Sequence, residues 1–329
     1  LQEQVDTYLS AGGRYDELIN GIVVNVDGRE LVAHYRAGSG PKDAHNVYSV
    51  TKTVMSMLIG IAIQEGRIRS VDATLAELLP QYVGVMADGV GAVTLRQLLT
   101  MTGGLAPDER TQRYGPHADW TKVTLSTPLW QAPGERFLYS SPGAHLLSAI
   151  LARATGTSVL DYARAKLFDP LAISTHPAEE PVSSVDNLTA YDARTGFGWS
   201  TDPQGLHLGL ADLKITAPDM VKLGRLYLSE GRWDGRRLVP AAWVRDSIRR
   251  HVTVEDTPDG SAGYGYLWWI PPAPEHPAYA AMGHAGQLIH VVPDLGLVVA
   301  VSCQDAPDSF DATNFIDFVD RQIIPVLAG

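Results

Sequence analysis

Ser49-Val50-Thr51-Lys52 opens an almost uniformly apolar run over residues 53–63, and the reading of the whole chain turns on this stretch. Residues three apart lie on one face of a helix, so a helix beginning near Ser49 brings the Lys52 amine within reach of the serine oxygen. Val54, Met55, Met57, Leu58, Ile59, Ile61, Ala62 and Ile63 cover all sides of that helix rather than one stripe. A helix apolar all round belongs in a protein interior. The run is too short to cross a bilayer, and Gly66, after Gln64 and Glu65, reads as the helix stop. An amine in such surroundings loses the hydration that supports its charge. Beside a hydroxyl, at a helix N-terminus that stabilises developing negative charge, it is placed to take the serine proton. A serine near a helix start is ordinarily only a cap, so the tetrapeptide needs support from elsewhere.

Two other segments supply it. Tyr139-Ser140-Ser141 precedes Pro142 and a second helical run over residues 144–154, closed by Gly156. A serine before a proline at the first helical position is a start signal, which places the Tyr139 hydroxyl in the bend before a helix. Gly283-His284-Ala285-Gly286-Gln287 lies between the small residues Ala280 and Ala281 and a strand-like run over residues 288–292. Glycines within a strand pattern mark a close approach to the backbone, and a substrate is one candidate for what approaches.

Ser-x-x-Lys, Tyr-Ser-Ser and His-Ala-Gly, in that order and widely spaced, resemble the serine β-lactamase and penicillin-binding protein superfamily, in its class C-like branch. That branch also holds carboxylesterases, D-amino-acid-specific peptidases and amidases, and nylon-oligomer hydrolases. Residues 94–105, Pro133-Gly134, and residues 264–269 look like the same branch, so the resemblance covers nearly the whole chain. It implies a serine hydrolase working through an acyl-enzyme. Ser49 resembles the nucleophile, and Lys52 and Tyr139 resemble the pair that takes its proton and returns one to the leaving group; which of the two is the base stays open. The backbone N–H groups of Ser49 and Gln287 match the oxyanion-hole positions, while Ser141, His284 and Gly286 match substrate-positioning places. Two departures matter. Ser141 stands where class C enzymes usually carry an asparagine, and it offers a hydroxyl in place of an amide. His284 stands where they carry a lysine, replacing a fixed cation with a group mostly neutral at pH 7. Both changes favour ester and amide substrates over β-lactams. A β-lactamase or D,D-peptidase is the alternative, and a non-catalytic, acyl-trapping ligand binder is a second.

Composition sets the surroundings. The 329 residues hold 37 acidic and 26 basic side chains, a net charge of −11. That balance disfavours nonspecific binding to nucleic acid or anionic membrane, so the expected partner is a small ester, amide or peptide; the oligomeric state is not readable. The lone Cys303 ends the strand-like run 297–302 and reads as a packed small side chain. The sequence shows no α/β-hydrolase elbow, zinc-protease helix, paired-cysteine metal site or phosphate loop. No cofactor and no metal is therefore expected. The first residues, Leu1-Gln2-Glu3-Gln4, lack the features of a signal peptide. The expected location is secreted or periplasmic if such a segment has been removed, and cytoplasmic otherwise. Asn187-Leu188-Thr189 fits a glycosylation sequon.

The order of elements tests the same reading. Helical patterns fall at residues 2–10, 75–79, 95–101, 143–154, 159–167, 217–229, 241–249 and 315–326. Thr216 and Asp219 are spaced as a capping pair. Strand-like runs fall at 22–26 and 30–35 around the hairpin signal Asp27-Gly28, and again at 264–270, 287–292 and 297–302. Strands at both ends with helices between them predict an α+β fold, one antiparallel sheet flanked by helices and built from both chain ends. The expected organisation is a single β-lactamase-like domain over residues 1–329. Its α/β lobe spans approximately 1–70 and 210–329, and a mainly helical lobe spans approximately 71–209. The site is expected in the cleft between the lobes. Long irregular stretches at 107–134 and 176–209 are the expected seat of specificity, with Tyr114, Trp120, Phe197 and Trp199 as candidate pocket walls.

Overall fold

The computed structural model describes residues 1–11, 15–107, 117–178, 188–255, 262–272, 275–305 and 311–328. Tyr114 and the sequon residue Asn187 lie outside the described residues.

The strands run in chain order as β1 (Ile19–Val26), β2 (Arg29–Tyr35), β3 (Ala44–Asn46), β4 (Gly198–Trp199), β5 (Leu213–Thr216), β6 (Arg232–Trp233) and β7 (Arg236–Arg237). They continue as β8 (Val252–Thr253), β9 (Gly263–Tyr264), β10 (Trp269–Ile270), β11 (Tyr279–Gly283), β12 (Gln287–Val292) and β13 (Leu297–Cys303). Eight of them form one sheet in the order β2-β1-β13-β12-β11-β10-β9-β8, every pair antiparallel. The chain's first two strands thus sit beside its last, giving the α+β sheet built from both ends that the pattern of runs implies. At the β1–β2 hairpin, Asp27 (φ 49°) and Gly28 (φ 83°) are both left-handed, the twist-compatible turn that Asp-Gly encodes.

β13 explains why its sequence is apolar without alternation. Leu297, Val299, Val301 and Cys303 enter one core with Val5, Leu9, Phe315 and Phe318. Val298 and Ala300 enter the other, with Val54, Leu58, Met220 and Leu223. A strand covered on both faces buries every side chain, each large aliphatic one contributing about 1.5–3 kcal/mol. The helices Gln2–Ala11 and Ala312–Phe318 supply the first cover. Val50–Gln64 and Ala217–Leu228 supply the second. Thr216 caps the last of these by accepting the Asp219 N–H at 3.1 Å.

The stretch 264–270 departs from expectation. It forms two short strands, β9 and β10, folded on each other with Trp269 opposite Tyr264. The reason is the turn between them, where Leu267 is left-handed (φ 61°) and its N–H donates to Leu99 O. A second departure is the three-stranded sheet β3-β5-β4, which brings strand structure into the mainly helical middle of the chain and carries residues 198–216 alongside the start of the Val50–Gln64 helix. The C-terminal helix runs unbroken from Ala312 to Ala328 but widens by one residue per turn over Val319–Ile323; Pro325 has no N–H to continue the regular ladder. Among the described residues no helix is long and apolar enough to cross a membrane.

Candidate active site

Every residue from Val50 to Ala62 is buried, so the Val50–Gln64 helix runs through the core and reaches a surface only at its two ends, at Ser49 and at Gln64. Ser49 sits at the N-terminal end with helical dihedrals (φ −68°, ψ −9°), and its side chain makes no capping bond. The hydroxyl is therefore not spent on the helix, the ordinary fate of a serine here. Lys52 is 1% exposed. Its Nζ lies 2.8 Å from Ser49 Oγ and donates to the Leu210 carbonyl at 2.6 Å. The contact between Lys52 and Tyr139 is with the aromatic face, Nζ standing 4.9 Å from the ring centroid. Ser49 and Lys52 thus meet Tyr139, which lies 90 residues beyond Ser49 in sequence, at one place.

The turn before Ser49 is held in an uncommon shape. Tyr48 is a non-glycine residue at φ 44°, a conformation that bulky side chains adopt only when their surroundings fix it. Its N–H donates to Asn46 Oδ1 at 2.9 Å and its hydroxyl donates to Asp192 Oδ2 at 2.9 Å. Asn46 Nδ2 in turn donates to Asp192 and Asp212, each at 3.1 Å. Burial pushes the Tyr48 hydroxyl strongly upward, reinforced by the Asp192 charge. Burial likewise pushes Asp212 up to about 6, with the Asp192 charge adding to it and the Asn46 bond and Lys52 opposing it.

His284-Ala285-Gly286 forms a tight turn in which Ala285 (φ 61°) and Gly286 (φ 88°) are both left-handed. His284 packs edge-on against Tyr48, centroids 5.3 Å apart, and its Nε2 lies 3.1 Å from Asp305 Oδ1. Gly283 has an explanation other than a substrate. A Cβ there would lie 2.4 Å from the Val47 carbonyl, so β11 passes directly against the backbone that leads into Ser49. Gln287 turns its side chain into the sheet, donating to Cys303 O at 2.8 Å and accepting the Cys303 N–H at 3.1 Å. Only its backbone is left to face a ligand.

Ser49, Tyr139 and His284 line a pocket of about 220 Å³ together with Trp269, Met282 and Asp311. Tyr139 stacks on Trp269 with rings 6.2 Å apart. Trp269, Met282 and Asp311 were missed in the sequence. Trp269 was hidden by reading 264–270 as one strand, and Asp311 is legible only as the residue capping Ala312–Phe318. Ser141 is the first residue of the Ser141–Thr155 helix and is buried, while Ser140 is its cap, accepting the Gly143 N–H at 3.1 Å.

Among the described residues, the aromatic candidates Trp120, Phe197 and Trp199 do not line this pocket. Phe197 packs on Phe168 in the core. Trp199 is 2% exposed and donates from Nε1 to Leu208 O at 2.9 Å. Trp120 clusters with Leu208. Large rings on irregular segments serve here as anchors onto the body, burying area that the loop itself lacks. A neighbouring polar cavity of about 330 Å³ lies behind Tyr48, lined in part by Asn46, Asp192, Asp305, His45 and Arg36. Among the described residues no group of three metal-ligating side chains is placed to hold an ion.

Known proteins resemble this chain over most of its length. The 6-aminohexanoate-dimer hydrolase of Paenarthrobacter ureafaciens is 26% identical over 324 residues, covering 90% of this chain and 76% of that protein. Penicillin-binding protein 4 of Amycolatopsis lactamdurans is 28% identical over 298 residues, covering 85% of this chain and 76% of that protein. Among solved structures, a D-stereospecific amidohydrolase from Streptomyces superposes with a TM-score of 0.70 at 20% identity, covering 96% of this chain and 98% of that one. The Beta-lactamase family profile matches residues 16–318, and with that match spanning nearly its whole length the chain belongs to the Beta-lactamase family.

Proposed function

We propose that this β-lactamase-fold serine hydrolase cleaves an ester or amide bond through an acyl-enzyme on Ser49. The observation that carries the reading is a lysine amine, 1% exposed, 2.8 Å from a serine oxygen that no helix cap occupies. Ser49 Oγ attacks the carbonyl carbon as its proton passes to the Lys52 amine. The Lys52–Tyr139 pair then returns a proton to the departing alcohol or amine. The negative oxygen of the tetrahedral intermediate lies against the backbone N–H groups of Ser49 and Gln287, each such donor being worth about 2.7–4 kcal/mol of barrier. Water then attacks the acyl-enzyme by the reverse route and frees Ser49.

Substrate choice follows from the departures at positions 141 and 284. Among the described residues that line the pocket none is a fixed cation; His284, paired with Asp305, occupies the place at the His-Ala-Gly turn. A substrate carboxylate therefore lacks its usual strong partner, which favours small esters and linear amides over β-lactams. The name of one relative, a 6-aminohexanoate-dimer hydrolase, supports this reading, while that of penicillin-binding protein 4 supports the peptidase alternative. A panel of p-nitrophenyl esters, D-amino-acid amides and β-lactams tests this. The expected result is turnover of esters or amides that Ser49→Ala abolishes. Nitrocefin as the best substrate would favour a β-lactamase, and a persistent adduct without turnover would favour an acyl trap.

A further inference from the structure

Residues 199–210 lead to the carbonyl that holds Lys52, and bonds pin them at nearly every step. Trp199 Nε1 donates to Leu208 O, and the Leu208 N–H donates to Ser200 O, both at 2.9 Å. Asp202 Oδ1 accepts the N–H groups of Gln204 and Leu206, also at 2.9 Å. Gly209 presses on the Ser141–Thr155 helix so closely that a Cβ there would lie 2.8 Å from Ala144 O and 2.6 Å from Ser148 Oγ.

The second oxygen of Asp202 faces a histidine. Asp202 Oδ2 and His145 Nε2 are 3.2 Å apart, and their side chains are 0% and 2% exposed. The other ring nitrogen, Nδ1, accepts the Gly209 N–H at 3.4 Å. One residue further, Leu210 O accepts from Lys52 Nζ. A backbone N–H can only donate, so Nδ1 must be the lone-pair nitrogen and the ring proton must sit on Nε2, directed at Asp202. A buried carboxylate and imidazole are costly to desolvate, and nothing in the packing of a loop against a helix requires them.

We infer that Asp202 and His145 are positioning residues for the Ser49–Lys52 pair, an inference that rests on the function proposed above. The carboxylate fixes the histidine tautomer, and that tautomer accepts the Gly209 N–H. Gly209 in turn holds the Leu210 carbonyl where Lys52 meets it. A neutral amine has two N–H donors and one lone pair. With one N–H committed to Leu210 O, the lone pair is free for the Ser49 proton; with the carbonyl displaced, the amine loses its fixed direction. Neither Asp202 nor His145 touches substrate. Trp120, edge-on to His145 at 5.7 Å, and Trp199 belong to the same brace.

The test is single-turnover acylation by p-nitrophenyl acetate, with steady-state KM and a melting curve alongside. Asp202→Asn keeps the shape and can keep the two bonds to Gln204 and Leu206, but it then turns an amide donor toward Nε2. The ring then carries its proton on Nδ1 and meets the Gly209 N–H donor to donor. Expected is a fall in the acylation rate constant of about 10- to 100-fold, the scale of a small misplacement of a reacting group, with KM within about twofold. His145→Asn retains an acceptor near the Nδ1 position, so it should acylate faster than His145→Ala. This pair decides the matter if Asp202→Asn does not fold. Wild-type acylation rates in Asp202→Asn, with or without a lower melting temperature, would overturn the inference, and so would equal losses in the two His145 variants. Wild-type hydrolysis that survives Ser49→Ala would instead overturn the proposed function on which this rests.

Discussion

Lys52 shows how little of a residue's role lies in its identity and how much in its burial. A lysine on a surface helix is a solvated charge; here the same side chain is 1% exposed and meets a hydroxyl and a carbonyl. Lys52→Met preserves the length of the side chain and removes the amine. Losing the buried amine relieves its desolvation but leaves the Leu210 carbonyl unpaired, so stability should change little, while activity falls about 10²- to 10⁴-fold, the usual range for a lost general base. Esterase assays with a melting curve check both halves, and a Lys52→Met protein that retains full turnover would contradict the assigned role. Asp212 gives a second residue-scale prediction. Burial raises its carboxyl to about 6 in the folded state, against about 4 when unfolded. The folded protein thus disfavours the charged form. That cost is absent below pH 4, grows between pH 4 and 6, and is fully present above 6. Asp212→Asn removes it and keeps an acceptor for Asn46, and asparagine tolerates the left-handed backbone found there (φ 67°). The variant should gain about 3 kcal/mol relative to wild type at pH 8 and nothing at pH 4. Urea unfolding at the two pH values measures this, and an equal effect at both would contradict it.

At the scale of elements, the Val50–Gln64 helix is the piece most legible in sequence, because apolar residues on all its sides leave it nowhere but the core. Its start, its glycine stop and the β1–β2 hairpin follow from local rules that residues obey wherever they are placed. The 264–270 segment was not legible, since a continuous apolar run is shared by a buried strand and by a buried turn; the contact that decides it comes from Leu99, far away in the chain. Tyr139 was identified by its motif, but its ring-face contact with Lys52 and its stack on Trp269 are tertiary facts with no local signal. The same holds for Trp120, Phe197 and Trp199, which composition alone marks as interesting without saying which way they face. Gly283 turns this limit into a prediction. Gly283→Ala would drive a methyl to 2.4 Å from the Val47 carbonyl, forcing β11 away from the turn that carries Ser49. The expected cost is about 2 kcal/mol, within the range for overpacking, with a matching loss of acylation. Denaturant unfolding that shows no change would mean the strand has room to move.

Across the whole molecule, one sheet drawn from both chain ends divides two cores, and the candidate site forms where the buried helix emerges against β11. Lys52 comes from the core helix, Tyr139 from the approach to the Ser141–Thr155 helix, and His284 from the turn between β11 and β12. The order of strands and helices disclosed that architecture. The small β3-β5-β4 sheet, which brings Leu210 and Asp212 to the site, did not show, because strands of two to four residues leave no periodicity to read. The proposed acyl-transfer site, a hydroxyl, an amine and a phenol, needs no Lewis acid, so dialysis against a chelator should leave turnover unchanged. Loss restored by a divalent metal would contradict this. The most direct measurement of the central claim is peptide-level mass spectrometry after brief reaction with a fluorophosphonate. The account predicts one adduct on the peptide containing Ser49, lost in Ser49→Ala and much slower to form in Lys52→Met. Labelling at another residue, or an adduct that persists in Ser49→Ala, would contradict it.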